Sequence, residues 1–318
     1  MKIVFCGTPS FAVPTLEALI AAGHEVVLVV SQPDRPAGRG HQLTVPRVKR
    51  TALAVGLGVV QPEKIRNNTD FQEQMKTIAP EVIVVVAYGR ILPPWMLALP
   101  RYGCINLHGS LLPKYRGAAP IQWAVAMGDA ITGNTTMLLE EGLDTGPILL
   151  QETIEIAPEQ TAVEMFDVLA HAGAPLMLKT LAGLADGSIK PCPQNDSFAT
   201  FAPLLDREDG RMDFAARTAT DLHNRWRGFQ PWPGAFTALG GKKLIVHRMA
   251  VATEPESTAS TLFEPGRVCL ENHRLFVACA ANTWLELVEV QLEGKKRLPA
   301  AEFLRGAGVG TASATRLG

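Results

Sequence analysis

Asn106 and His108 stand two positions apart at the end of the apolar run that starts at Cys104. In an extended strand alternate side chains share a face, so a carboxamide and an imidazole project side by side. That pair suits acyl transfer. An amide N–H can donate to a developing oxyanion, and an imidazole can donate to it or move a proton. A plainer role is equally open, with Asn106 capping a turn and His108 packing at a sheet edge. Asp144 lies in EEGLDTGP, between Gly142 and Gly146, which implies a tightly shaped loop. Its carboxylate could orient or deprotonate His108, or act through water on an attacking amine. An aspartate between glycines is more commonly a turn former.

A second kind of chemistry is electrostatic. Arg35, Arg39, Arg47, Lys49 and Arg50 crowd one stretch, opposed by Asp34. A basic loop can grip phosphates and insert arginine into a groove, as RNA binding requires. Charge count alone favours an ordinary solvated loop. Lys114 and Arg116 add positive charge near the Asn-His pair and could meet a phosphate or a glutamate tail. Gly7-Thr8-Pro9 after the first strand is not the dinucleotide fingerprint, which speaks against a nicotinamide oxidoreductase. No HxxxH pair and no carboxylate at metal spacing is present, so no metal is expected. There is no GxSxG. Phe229 to Gly234 (FQPWPG) reads as a rigid aromatic turn with a structural role.

The elements that must position these residues alternate in type. Lys2 to Cys6, Val26 to Val30, Val82 to Val86 and Cys104 to Leu107 are mostly apolar stretches of strand length. Residues 11–22 carry apolar spacing at three and four, with Gly23 as a C-cap, and 162–185 is helix-like. Continuous strands separated by helices predict a parallel sheet covered on both faces, an α/β class in which ligands sit at the carboxyl ends of strands. Two turn-rich stretches, 31–47 and 109–120, follow strands directly and are read as functional loops. Beyond residue 190 the period changes. A polar, proline-containing linker at 190–205 separates a domain over 1–189 from one over 206–318. In the latter, short strands at 243–250, 266–270, 274–279 and 284–291 predict a small antiparallel barrel. Helices are expected near 215–227 and 299–305.

Composition sets outer bounds. The 318 residues are 47% hydrophobic and 19% charged, enough apolar content for a core in each of two domains. Net charge is −1, so any preference for nucleic acid must be local. Residues 204–318 hold 15 Lys+Arg against 13 Asp+Glu, and the remainder holds 15 against 18. Five cysteines with no CxxC spacing fit a reducing cytoplasm. No apolar run reaches the roughly 20 residues of a membrane span, and no signal peptide is expected.

Residues 106–124 (NLHGSLLPKYRGAAPIQWA) resemble the signature of the 10-formyl-tetrahydrofolate-dependent formyltransferases, and 139–148 (LEEGLDTGPI) resembles their second motif. GTPSFAVPTLEAL, SQPDRPAGRG, PEVIVVVAYGRILP, EDGRMDF and RGFQPWPGAF are similar to segments of the branch that formylates methionyl-tRNA. The resemblance implies a Rossmann-like N-terminal domain, a linker and a C-terminal OB-like barrel that binds tRNA. It implies a catalytic set at Asn106, His108 and Asp144, with Ser110, Leu111, Leu112 and Pro113 lining the folate site. It implies that the loop bearing Arg35, Arg39 and Arg47 wedges against tRNA, with Arg39 at the matching arginine. Many relatives carry a lysine pair after that loop where this chain has His41-Gln42. The implied partners are 10-formyl-tetrahydrofolate and initiator methionyl-tRNA. A cytoplasmic monomer with no membrane partner is expected. Relatives acting on glycinamide ribonucleotide or an amino-sugar nucleotide fit less well. The first kind lacks the C-terminal domain and the second lacks PDRPAGRG. A non-catalytic RNA-binding protein would not need the Asn, His and Asp.

Overall fold

The structure is a computed structural model that describes residues 1–37, 42–256, 264–306 and 316–318. The chain divides into two units. The first comprises residues 1–121, 130–156 and 164–203, and the second 122–129, 157–163 and 204–318.

In the first unit the chain runs β1 (Lys2–Gly7), α1 (Val13–Ala21), β2 (Glu25–Val30), β3 (Arg35–Ala37), β4 (Gln42–Thr44), α2 (Arg47–Ala54) and β5 (Val59–Val60). It continues through α3 (Thr69–Ile78), β6 (Val82–Val86), α4 (Pro94–Leu97), β7 (Cys104–His108) and β8 (Arg116–Gly117), followed by α5 (Pro120–Ala126), most of which belongs to the second unit. Then come β9 (Ile131–Leu138), β10 (Ile148–Glu155), α6 (Ala162–Asp186) and β11 (Phe201–Ala202). Its main sheet has the order β10-β9-β7-β6-β1-β2-β5. From β5 to β7 all neighbours are parallel, whereas β9 and β10 turn antiparallel. The mostly parallel sheet agrees with the sequence reading. The antiparallel pair was missed because ITGNTTML mixes glycine, asparagine and threonine into its apolar positions and lacks a continuous run.

Both faces of the central strands are buried, as their unbroken apolar character requires. Every residue of β6 is buried. On one face Val4, Cys6, Leu28, Val30, Ile83 and Val85 pack with Phe71 and Met75 of α3. Burial pushes the Cys104 thiol up to about 12, so it is an inert core residue. Asn68 caps α3 by accepting from the Phe71 N–H at 3.0 Å. Gly23, at φ +76°, closes α1 as expected.

Helix α6 supports β7 from behind. A Cβ at Gly173 would sit 2.4 Å from Leu107 Cδ2, so helix and strand approach closely only because Gly173 has no side chain. Met165, Leu169, Met177 and Leu181 are fully buried, each worth about 2 kcal/mol in apolar burial. By length and composition alone α6 is long and apolar enough to cross a membrane, although it holds no unbroken apolar run of that length. Scattered polar residues such as Lys179 hide the apolar stretch when only unbroken runs are sought. Its inner face is the core of this unit, which explains the composition.

The two stretches read as loops carry structure of their own. Within 31–47, β3 pairs β4 as a short hairpin and α2 begins at Arg47. Within 109–120, β8 pairs in parallel with β11 of the 190–205 segment. That segment is therefore hydrogen-bonded into the first unit, with Cys192 also bridging Ile148 of β10.

The second unit holds α7 (Ala219–Gly228), β12 (Ala235–Leu239), β13 (Lys242–Ala252), β14 (Val268–Glu271), β15 (Arg274–Cys279), β16 (Thr283–Leu292), β17 (Leu298–Pro299) and α8 (Ala300–Gly306). Its antiparallel sheet runs β12-β13-β16-β15-β14, with β17 on β16. Among the described residues this sheet is not closed. Strand alternation buries Leu244, Val246, Val277, Leu285 and Leu287 in one core with Leu222 of α7 and Phe303 of α8. A capping box of Thr218 and Asp221 starts α7. Leu317 is buried in the same core, and its N–H donates to Gly266 O at 2.8 Å. In the FQPWPG turn, Phe229 is fully buried and meets the Trp123 ring edge-on at 5.3 Å, which agrees with a structural reading.

Candidate active site

Strand β7 delivers Asn106 and His108 to the carboxyl edge of the first unit's sheet. Alternation puts both on the face opposite Leu107, with their positions about 7 Å apart. His108 is buried at 6% exposure and Asn106 is half-buried. His108 Nε2–H donates to the Tyr115 carbonyl at 2.9 Å. Because a carbonyl can only accept, that bond assigns the proton to Nε2 and leaves Nδ1 facing Asp144. The Nδ1 to Asp144 Oδ2 separation is 3.8 Å, an ion-pair distance and too long for a direct hydrogen bond. The ring orientation is thus set by a backbone carbonyl.

Asp144 reaches this position through an unusual backbone. Its φ is +51°, a left-handed conformation that is uncommon outside glycine, although aspartate tolerates it better than most residues. Gly146 makes room: a Cβ there would lie 1.9 Å from Leu138 O. The Gly117 N–H donates to Asp144 Oδ2 at 2.9 Å, fixing the carboxylate. Gly117 itself has φ +126°, and a Cβ there would lie 2.6 Å from Ala202 O. Tyr115, at φ +61°, turns its carbonyl toward His108. The 190–205 segment braces this loop: Tyr115 N donates to Thr200 Oγ1 at 2.9 Å and Arg116 N to Thr200 O at 2.9 Å.

The segment Ser110 to Pro113 is rigid for a different reason. Ser110 Oγ donates to Lys114 O at 2.7 Å, and Ser110 O accepts from Thr135 Oγ1 at 2.6 Å. Leu112 N donates to Thr135 Oγ1 at 3.1 Å, and Leu112 O accepts from Gln151 Nε2 at 2.9 Å. Leu112 is buried and the Leu112–Pro113 peptide is cis. These polar groups are satisfied internally, so the segment forms a stiff wall beside His108. Thr135 and Gln151 gave no motif signal. Only their placement on the antiparallel strands reveals them.

Of the three loop arginines, Arg35 is exposed on β3 and pairs with Glu63 at 3.6 Å. Arg47 is exposed at the start of α2. Arg39 lies outside the described residues. The base of this loop is pinned by Lys49, whose Nζ donates to both Asp34 oxygens at 3.0 and 2.8 Å and to Gln61 Oε1 at 2.6 Å. Gln61 Nε2 in turn donates to Asp34 Oδ1 and to Gln32 O, both at 2.7 Å. These bonds lower the Asp34 carboxyl below its usual range. Arg116 is not the free cation expected from sequence. It is buried and committed to Gln194 and Asp196. Among the described residues no three His, Cys, Asp or Glu side chains converge as metal ligands.

Residues 1–181 match the family described as formyl transferase, and residues 204–308 match its C-terminal domain. The chain is 64% identical to a methionyl-tRNA formyltransferase of Acidobacterium capsulatum over 318 residues, all of both chains. The chain belongs to the methionyl-tRNA formyltransferase family. A relative of that name from Koribacter versatilis is 55% identical over 306 residues, 96% of each chain. Among solved structures, an N-formyltransferase from Helicobacter canadensis in complex with folinic acid and dTDP-3-aminofucose matches with TM-score 0.64. It is 16% identical, and the match covers 90% of this chain and 98% of that one. HypX from Aquifex aeolicus, in complex with tetrahydrofolic acid, matches with TM-score 0.60 at 17% identity, over 96% of this chain and 47% of that chain. At such identities the structures speak for the fold. With the full-length relatives, the family makes this chain a formyl-transfer enzyme that uses a formyl-tetrahydrofolate donor.

Proposed function

We propose that this chain moves the formyl group of 10-formyl-tetrahydrofolate to the methionine amino group of initiator methionyl-tRNA, with Asn106, His108 and Asp144 around the reacting carbon. The observation that carries the assignment is the approach of His108 Nδ1 to Asp144 Oδ2 at 3.8 Å beside a strand that also presents Asn106. Full-length relatives that bear the name of this activity support the reaction.

The amine must be neutral to attack the formyl carbon. Asp144, held by the Gly117 N–H, accepts the proton that the amine gives up on attack, directly or through one water. Asn106 donates its amide N–H to the oxyanion, and His108 donates from Nδ1 when protonated. Tyr115 keeps the imidazole from rotating by accepting at Nε2. His108 then passes a proton to the departing nitrogen. The stiff Ser110 to Pro113 segment serves as the wall against which the folate rests, its apolar surface matching a flat ring system.

Residues 1–189 act as the catalytic domain, 190–205 as the linker, and 206–318 as an OB-like barrel that binds tRNA. Support for a barrel comes from residues 317 and 318, where Leu317 N–H donates to Gly266 O, two residues before edge strand β14, and Gly318 N–H to Ala238 O within edge strand β12. Arg35, Arg39 and Arg47 grip the RNA from the loop whose base Lys49 and Asp34 pin. We place the enzyme in the cytoplasm as a monomer.

One assay tests this reading. Purified enzyme with 10-formyl-tetrahydrofolate should formylate methionyl initiator tRNA and discriminate against elongator tRNA. Preferential transfer to glycinamide ribonucleotide or an amino-sugar nucleotide would overturn it. Arg39→Ala should weaken tRNA formylation and spare slow hydrolysis of the donor. Equal loss of both would assign the loop to the fold.

A further inference from the structure

Adjacent residues Arg116 and Gly117 hold Asp144 from two directions. The Gly117 N–H holds the carboxylate directly. Arg116 acts at one remove, through Gln194. The Arg116 guanidinium donates to Gln194 Oε1 from Nε at 3.1 Å and from Nη2 at 2.8 Å. This locks the side-chain amide so that Gln194 Nε2 points back into the 142–147 loop. There it donates to Asp144 O and Gly146 O, both at 2.8 Å. Arg116 is buried at 5% exposure, and its remaining charge is met by Asp196 at 2.7 Å. A buried guanidinium fork orienting one carboxamide, whose two donors are both spent on a left-handed turn, is a built arrangement.

We infer that Gln194 is a positioning residue for the formyl-transfer reaction, holding the Asp144 backbone at φ +51° so that its carboxylate faces His108. The inference rests on the reading of Asp144 as catalytic and extends it to the 190–205 segment, which thereby becomes part of the active centre. Without the two donors, the strained turn relaxes toward ordinary φ values and swings the carboxylate away from the imidazole. A misplacement of about 1 Å at a reacting group costs up to about 100-fold in turnover.

Gln194→Glu is the discriminating variant, since it keeps the shape and the acceptor for Arg116 but removes both donors to the turn. We expect kcat for formyl transfer to fall at least tenfold, with KM for donor and for tRNA within about twofold, and an altered pH profile of kcat. A purely structural role would lower the melting temperature and leave kcat of the folded enzyme and its pH profile unchanged, and that result overturns the inference. Gln194→Asn, with a shorter reach, should recover little of the loss. Full activity of Gln194→Asn would also overturn the inference. Asp144→Asn is the control. If it stops turnover while Gln194→Glu does not, the inference fails and the catalytic reading stands. If Asp144→Asn retains turnover, the catalytic reading itself fails.

Discussion

His108 Nδ1 and Asp144 Oδ2 face one another at 3.8 Å while each is held by a backbone group, the Tyr115 carbonyl for the imidazole and the Gly117 N–H for the carboxylate. The gap is wider than a hydrogen bond, so neither group is spent on the other. A proton from an attacking amine, or a bridging water, fits between them. This relationship makes the proposed catalytic set separable from the fold.

Asn106→Ala and Asp144→Asn should each therefore lower kcat by about 100-fold or more, the scale of one lost oxyanion donor or proton acceptor. Thermal melts should match the parent within a few degrees, because Asn106 is only half-buried and Asn can still accept from Gly117. Single-turnover formylation of methionyl-tRNA measures the effect. Near-normal turnover in either variant would remove that residue from the set.

The clamp of Lys49, Asp34 and Gln61 predicts a different phenotype. Lys49→Met frees the base of the 31–47 stretch without touching β7. The KM for methionyl-tRNA should rise by up to about fivefold, as for loss of a partly exposed ion pair. Donor hydrolysis should be unchanged. A parallel fall in donor hydrolysis would show that the clamp supports the sheet rather than the loop.

His223, buried on α7, makes stability of the second unit depend on pH. Burial lowers its pKa from the ordinary value, and Arg227 adds to the effect while Glu159 at 3.5 Å opposes it. The folded state thus holds fewer protons than the unfolded one near the histidine range. Its neutral form is fully compatible with folding above about pH 6.5, and stability is lost as pH falls below that value. His223→Gln should flatten the acid side of the melting temperature against pH, measured from pH 5 to 8. An unchanged acid slope in the variant would exclude His223 as its source.

The chain end is a structural element. Leu317→Ala should destabilise the second unit by roughly 2–4 kcal/mol, the cost of a truncated core leucine. Urea denaturation followed by tryptophan fluorescence would report it, since Trp226 packs against the same core. A change near zero would mean that Leu317 does not pack in solution.

Much of this was legible in the residues alone. The runs Ile3 to Cys6, Val26 to Val30 and Val82 to Val86 are apolar without interruption, which dictates strands buried on both faces and a mostly parallel sheet. The two-residue spacing of Asn106 and His108 on such a strand dictates a shared face. Glycines around Asp144 dictate a shaped loop. These signals are local, because strand and turn periodicities act over a few neighbouring residues. Only the tertiary structure brings Asp144 to His108 across the sheet edge. It also enlists Tyr115 O, Gly117 N–H, Gln194 and Thr135, whose contributions run through backbone groups or residues 85 positions apart in the case of Tyr115 and Thr200. It commits Arg116, a charge that the sequence leaves open to a phosphate or a glutamate tail, to a buried fork on Gln194, and it places Leu317 in a core. Backbone donors have no side-chain signature, and long-range contacts have no period. Both kinds of information enter only when the chain closes on itself.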